Sequence, residues 1–391
     1  MKKNITSYVM PTYGKKSLLF TKGKGCYLYD DKNNKYLDFA SGIAVNSLGH
    51  CHPRLVKALN SQSKQLWHVS NLYLIKNQEK FAKLLCKNSF DDKVFFTNSG
   101  AESIECGIKI IRSYHSHYKT GKNEIITFDG AFHGRTLGAL SAQKNKKYSK
   151  GFGPLIPGFK KVEFNNKNKL RSAINKKTAG IIVEPVQGEG GIRPADLSFL
   201  KYLRDICDKN NILLFFDEVQ CGFGRSGKLF SYEWAKIKPD IMAIAKGIGS
   251  GFPLGACLSS NKACISMTKG THGSTYGGNP LAMSVGLEVL NIISKRSFLQ
   301  NVDKVARYFW KQLKELESKY ETIHQVRGAG LLLGIKTKIN NLEFSEKLKK
   351  KKLLNVPAGD NTIRLAPPLI VSYKDIDKSI AIINNVLKNI K

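Results

Sequence analysis

Ile212-Leu213-Leu214-Phe215-Phe216-Asp217-Glu218-Val219-Gln220 sets an unbroken apolar run directly before an acidic turn. A strand without polar alternation has to be covered on both faces, as in a parallel sheet sandwiched between helices. Four runs of the same kind occur at 94–97, 125–128, 180–184 and 241–245, with helical patterns such as 101–118 and 197–209 between them. This alternation predicts an α/β domain with a mainly parallel sheet. Upstream, Cys26-Tyr27-Leu28-Tyr29-Asp30 follows Gly23-Lys24-Gly25, and Lys35-Tyr36-Leu37-Asp38 comes next, which is the pattern of a small β-hairpin. Downstream, a long helical stretch at about 280–320 leads to a part in which 328–335 and 362–365 read as strands. The expected organisation is an N-terminal segment, 1–50, packing with a small α+β domain, 286–391, and a large α/β domain, 51–285, between them.

The chain has 391 residues, with 63 Lys+Arg against 30 Asp+Glu, so its formal net charge is +33. A composition of 42% hydrophobic and 24% charged residues excludes a disordered chain. No apolar run approaches the ~20 residues of a membrane helix, and no apolar signal segment follows Met1-Lys2-Lys3-Asn4. The expectation is a cytoplasmic protein without a membrane partner. Eight cysteines (26, 51, 86, 106, 207, 221, 257, 264) form no CxxC pair, which predicts reduced thiols rather than a disulfide framework. No His/Cys group repeats at zinc spacing, so no metal is expected. Of the basic residues, 11 are Arg and 52 are Lys, spread along the whole chain. A nucleic-acid binder would gather them with aromatics on one element, and the dense run 347–352 reads as a solvated helix face. A polyanion-binding protein is the rival reading from another class. The firmer consequence of the charge is a positive field that attracts small anions.

Ligands of open α/β sheets gather at the carboxyl ends of the strands. After 94–97 comes Asn98-Ser99-Gly100-Ala101-Glu102, where Ser99 can cap a helix whose first N–H groups would cradle a phosphate. Asp217, at the tip of an apolar strand, is a desolvated acid that requires a cation or hydrogen bonds. Lys246 follows 241–245 and precedes Gly247-Ile248-Gly249-Ser250-Gly251. A lysine in that position can lose its charge and attack carbonyls. Gly222-Phe223-Gly224-Arg225-Ser226-Gly227 matches a dinucleotide fingerprint only in letters, because Asp217 to Cys221 separates it from its strand. The related P-loop reading fails at Leu229, where a Ser or Thr should bind magnesium.

These blocks together resemble the class III pyridoxal-phosphate-dependent aminotransferases of fold type I. Ala131-Phe132-His133-Gly134-Arg135-Thr136 and Gly273-Ser274-Thr275-Tyr276-Gly277-Gly278-Asn279-Pro280 belong to the same pattern. Ser41-Gly42-Ile43-Ala44-Val45-Asn46, Gly49-His50-Cys51-His52-Pro53 and Glu184-Pro185-Val186-Gln187-Gly188-Glu189-Gly190-Gly191 are similar to the acetylornithine branch. The resemblance runs from about Tyr13 to Pro368. It implies a large domain with a mainly parallel seven-stranded sheet, a smaller α+β domain, and a homodimer with shared active sites.

By the same resemblance, Lys246 would bond covalently to the cofactor's aldehyde and later move a proton at the substrate carbon. Asp217 would pair with the pyridine nitrogen, and Gln220 would lie near the ring hydroxyl. Phe132 would stack on the ring, while Ser99, Gly100 and Ala101 would hold the phosphate together with Thr275 of the neighbouring subunit. Arg135 and Tyr13 would bind the carboxylate far from the reacting amine, with Ser274 also among the substrate-binding residues. Arg364 would bind the α-carboxylate of glutamate and otherwise pair with Glu189. Ile43 stands where ornithine aminotransferases carry tyrosine, which leans toward an N-acylated substrate. The implied reaction is transfer of the δ-amino group of acetylornithine to 2-oxoglutarate, giving glutamate, with N-succinyl-L,L-diaminopimelate as a further substrate. Ornithine or 4-aminobutyrate transamination is the alternative.

Overall fold

In a computed structural model that describes residues 8–14, 17–90, 92–143 and 145–390, the apolar runs assemble into one seven-stranded sheet. Its spatial order is Lys93–Thr97, Gly255–Ser259, Ile241–Ile244, Leu213–Asp217, Thr178–Val183, Glu124–Phe128 and Phe159–Val162. Gly255–Ser259 is antiparallel to both of its neighbours, and every other pair is parallel. The carboxyl ends of the remaining strands therefore share one edge.

Both faces are covered, as the unbroken apolar runs require. Leu214 and Phe216 enter one core together with Ile181 and Val183. Leu213 and Phe215 enter the core on the opposite face with Ile182, because successive side chains of a strand point to opposite sides. Helix Gly100–His117 closes the second face with Ile104, Ile108 and Ile111, spaced one and two turns apart. Helix Leu197–Asn210 closes the first with Phe199, Leu200 and Leu203.

Phe20–Lys24, Tyr27–Asp30 and Lys35–Asp38 form an antiparallel meander. Leu353–Leu354 joins it in parallel, which ties the N-terminal part to a distant part of the chain. A second four-stranded sheet is antiparallel, in the order Ile323–Ala329, Leu332–Thr337, Thr362–Leu365 and Val356–Ala358.

Three expectations change in detail. The stretch 328–335 is not one strand but the turn of a hairpin, which reverses at Gly330 with φ of 54°. A Cβ at Gly330 would lie 2.4 Å from the carbonyl carbon of Ser226, so only glycine lets this turn pack on the glycine-rich loop after Asp217. The helical stretch at 280–320 is two helices, Pro280–Ile293 and Arg296–Lys319. Strands Phe159–Val162 and Gly255–Ser259 were not anticipated; the first is partly polar, with its two lysines exposed at an edge position of the sheet. All eight cysteines are free thiols.

Candidate active site

A cavity of about 370 Å³ opens at the carboxyl edge of the sheet, lined among others by Ser99, Gly100, Phe132, Asp217, Gln220 and Lys246. Lys246 begins a single helical turn directly after strand Ile241–Ile244 and holds a left-handed backbone with φ of 49°. Such a conformation in a non-glycine residue is strain stored where the chain changes direction. Burial, then the positive charge of Arg364, lowers the lysine's pKa to about 8. A neutral amine is therefore readily available.

Asp217 closes strand Leu213–Asp217 and is 3% exposed. Its Oδ2 lies 2.7 Å from His133 Nδ1, and its Oδ1 accepts from the Val219 N–H at 3.1 Å. Burial alone would lower the His133 pKa, but the hydrogen bond and the charge of Asp217 outweigh it and the net shift is upward. The pair is thus a buried carboxylate backed by an imidazole that favours its protonated form. Glu184 lies beside it, because Val183 pairs with Phe216 across the sheet and both acids follow at the same level. Its carboxyl accepts from Phe132 N–H at 2.8 Å and Gly188 N–H at 3.2 Å. Burial, then the nearby charge of Asp217, pushes its pKa up. His133 was expected to serve packing or a supporting hydrogen bond rather than acid–base work, and its contact is with Asp217; Glu184 carried no expected role. Applying the strand-end rule to 180–184 as well would have found Glu184. The His133 contact depends on a loop whose path no local pattern reveals.

On the opposite side, Ser99 caps helix Gly100–His117 by accepting from Glu102 N–H at 3.2 Å. Gly100 and Ala101 have no helical carbonyl a turn behind them, so their N–H groups are available at the cavity wall. A Cβ on Gly100 would fall 2.7 Å from Val219 Cγ1, so glycine is what lets the helix start lie against that wall. Ser103 Oγ, 3.3 Å from the carbonyl oxygen of Ile244, ties the helix to the strand that precedes Lys246.

Above the cavity, Arg364 is 1% exposed and lies on strand Thr362–Leu365. Its NH1 donates to Glu189 Oε1 at 2.7 Å and to Gln220 Oε1 at 2.8 Å. Its Nε and NH2 are buried without a partner among the described residues. Two unmatched guanidinium nitrogens are a ready fork for a carboxylate. Arg135 is exposed, and its guanidinium lies 4.0 Å from the centre of the Tyr148 ring and 5.5 Å from that of Phe132. Ser274 Oγ accepts from Asn98 Nδ2 at 3.3 Å. Thr275 is exposed and is not among the residues lining the cavity. Tyr13 is 77% exposed. Ile43 is 42% exposed, within a turn where Ser41 to Ala44 all have positive φ.

This donor set suits pyridoxal phosphate from end to end. Helix-start N–H groups meet a phosphate, a neutral lysine amine meets an aldehyde, and a buried carboxylate meets a protonated ring nitrogen. The fold and the site thus define a pyridoxal-phosphate-dependent transaminase of fold type I. The chain belongs to the class-III aminotransferases, whose family profile matches residues 8–387. It is similar to the acetylornithine aminotransferase of Agrobacterium fabrum, with 51% identity over 374 residues, covering 95% of this chain and 93% of that one. Among solved structures it resembles the N-acetylornithine aminotransferase of Stenotrophomonas maltophilia, with a TM-score of 0.85, 30% identity and 97% of each chain covered. It also resembles the ornithine aminotransferase of Toxoplasma gondii, whose active site is partly occupied by PLP, with a TM-score of 0.93 and 30% identity, covering 97% of this chain and 92% of that one. No helix among the described residues is long and apolar enough to cross a membrane.

Proposed function

We propose that the enzyme transfers the δ-amino group of N2-acetyl-L-ornithine to 2-oxoglutarate, reversibly, giving N-acetyl-L-glutamate 5-semialdehyde and L-glutamate in arginine biosynthesis. N-succinyl-L,L-diaminopimelate, of lysine biosynthesis, serves as a second amino donor. The observation that carries this reading is the buried Arg364, held at 2.7 Å by Glu189 and keeping two nitrogens free. One site must accept an uncharged chain next to an ω-amine, then the α-carboxylate of glutamate. A cation whose anionic partner can swing away meets both needs.

Bound pyridoxal phosphate supplies a ring that accepts the electron pair left at the amine-bearing carbon. Lys246, whose lowered pKa of about 8 makes a neutral amine available, would hold the cofactor's aldehyde carbon and would afterwards carry a proton to and from the substrate carbon. Asp217 would keep the ring nitrogen protonated, and His133, 2.7 Å from its Oδ2, fixes the orientation of that carboxylate. Ser99 and the N–H groups of Gly100 and Ala101 would hold the phosphate, Phe132 would pack against the ring, and Gln220, which accepts from Arg364 at 2.8 Å, would lie near the ring hydroxyl. Arg135, together with Tyr13 and Ser274, takes the distal carboxylate, and Ile43 leaves room for the acyl group. Thr275 serves the neighbouring subunit's phosphate, so the working unit is a homodimer. The segments 1–50, 51–285 and 286–391 act as N-terminal strap, cofactor domain and small domain in a cytoplasmic enzyme.

The Toxoplasma ornithine aminotransferase matches with a higher TM-score than the Stenotrophomonas enzyme, which favours ornithine as the second reading. Measuring kcat/KM for both donors decides between them. A preference for acetylornithine is expected, and a clear preference for free ornithine overturns the substrate assignment.

A further inference from the structure

Glu184 is buried in the wall of the cofactor cavity, yet it has no part in the reaction assigned above. It stands directly after strand Thr178–Val183, and the chain beyond it forms a small hairpin in which Val186–Gln187 pairs with Arg193–Pro194. Glu189 lies in the turn of that hairpin, with its carboxylate on Arg364. The turn is packed tightly on both sides. A Cβ at Gly188 would lie 2.2 Å from Gln220 Oε1, and one at Gly190 would lie 2.4 Å from the Gly130 carbonyl oxygen.

Two hydrogen bonds bracket the backbone of Glu189. Behind it, the Gly188 N–H donates to Glu184 Oε2 at 3.2 Å. Ahead of it, the Glu189 carbonyl accepts at 2.8 Å from the Gly359 N–H, just past strand Val356–Ala358 of the second sheet. With its backbone held, Glu189 can leave Arg364 by rotating its side chain, which is 26% exposed and has water to turn into. The other oxygen of Glu184 accepts from Phe132 N–H at 2.8 Å, so one carboxyl ties the hairpin to a second stretch of the cavity wall.

We infer that Glu184 is the positioning residue of the Glu189 gate: it holds the Gly188 N–H, and with it the backbone of Glu189, where the carboxylate reaches Arg364. The inference rests on the reading above in taking Glu189 as a carboxylate that swings away from that guanidinium. Both Glu184 oxygens receive an N–H, so glutamine, whichever way its amide turns, sets an NH2 against one of them and gives up that bond. A loosened turn holds Glu189 less firmly on Arg364 and leaves the guanidinium easier for an α-carboxylate to capture.

The test follows both half-reactions of the holoenzyme by single turnover in the parent, Glu184→Gln, Glu189→Gln and the double variant. Glu184→Gln should raise the ratio of kcat/KM for glutamate to that for acetylornithine by about fivefold, the worth of one ordinary hydrogen bond. In the double variant it should add nothing to the shift produced by Glu189→Gln, because the clamp acts only through that carboxylate. Affinity for 2-methyl-L-glutamate, which has no α-proton to lose, should rise in parallel when read from the cofactor's absorbance, whereas mere loss of packing would lower it. Glu184→Asp keeps both acceptors one methylene short of their donors and should shift the ratio the same way, which keeps the test valid if the glutamine form folds poorly. A parental ratio in these single variants, or a shift that persists in full in the double variant, overturns the inference. If Glu189→Gln itself leaves the ratio unchanged, the gate reading is what fails.

Discussion

Replacing Glu189 by glutamine tests whether one buried guanidinium serves two unlike substrates. Arg364 is 1% exposed on its side chain, whereas Glu189 retains 26%, so the 2.7 Å pair is only partly withdrawn from water. Its worth is that of a charge-assisted hydrogen bond at an effective dielectric nearer 20 than 4, about 2–3 kcal/mol. Without the carboxylate, glutamate no longer has to displace an anion to reach Arg364. At 1.4 kcal/mol per tenfold, kcat/KM for the glutamate half-reaction should rise roughly 30- to 140-fold. The acetylornithine half-reaction should fall by a similar factor, because the uncharged end of that substrate would face a bare buried cation. Single-turnover spectroscopy of the holoenzyme reads each half-reaction separately. The same change removes an anion that raises the Lys246 pKa, so the lysine should titrate below its present value of about 8. If both half-reactions change by one common factor and the lysine does not move, Glu189 is not a gate and the reasoning fails.

Capture of pyridoxal phosphate by the apoenzyme needs the neutral Lys246, so its rate should climb with pH around a midpoint near 8. Substituting Arg364 by leucine removes a nearby positive charge and should raise that midpoint; an ordinary lysine value near ~10.4 in the parent would contradict the burial argument. Glu218, which accepts from Ser231 N–H at 2.7 Å and Tyr232 N–H at 2.9 Å, is pushed by burial to about 8. The folded chain then holds a proton that the unfolded chain releases near the usual carboxylate value, so stability falls as pH rises through the window up to about 8. In denaturant titrations Glu218→Gln should flatten that fall by up to ~1.4 kcal/mol per pH unit, and an unchanged slope would show that Glu218 is not the group responsible. Gly107→Ala would set a Cβ 2.2 Å from Phe215 Cζ in the core between helix and sheet. A loss of about 1–3 kcal/mol is expected by thermal unfolding, and a neutral result would mean that the helix can shift freely.

Much of the site was legible because it obeys a local rule. Asp217, Lys246 and Ser99 each stand at a strand end, where a run of buried residues gives way to groups that can face a ligand. The apolar runs themselves announce burial on both faces. Partly polar Phe159–Val162, at an edge of the sheet, gave no such signal, and Gly255–Ser259 took its place only through pairing with partners far along the chain. The left-handed turn at Gly330 hid a hairpin inside what reads as one apolar strand.

The amino-acid order alone determined the strands of the central sheet that carry the nucleophile and the acid, because burial patterns and strand-end chemistry act over a few neighbouring residues. Tertiary structure alone decided which distant groups share a charge environment. Arg364 is 144 positions from Gln220 and 175 from Glu189, yet it bonds to both, and His133 reaches Asp217 across 84 positions. Electrostatic coupling depends on distance in space and on exclusion of water, and neither is encoded in any short stretch of chain. That is why the lowered lysine and the His133–Asp217 pair emerge only once the sheets are packed together.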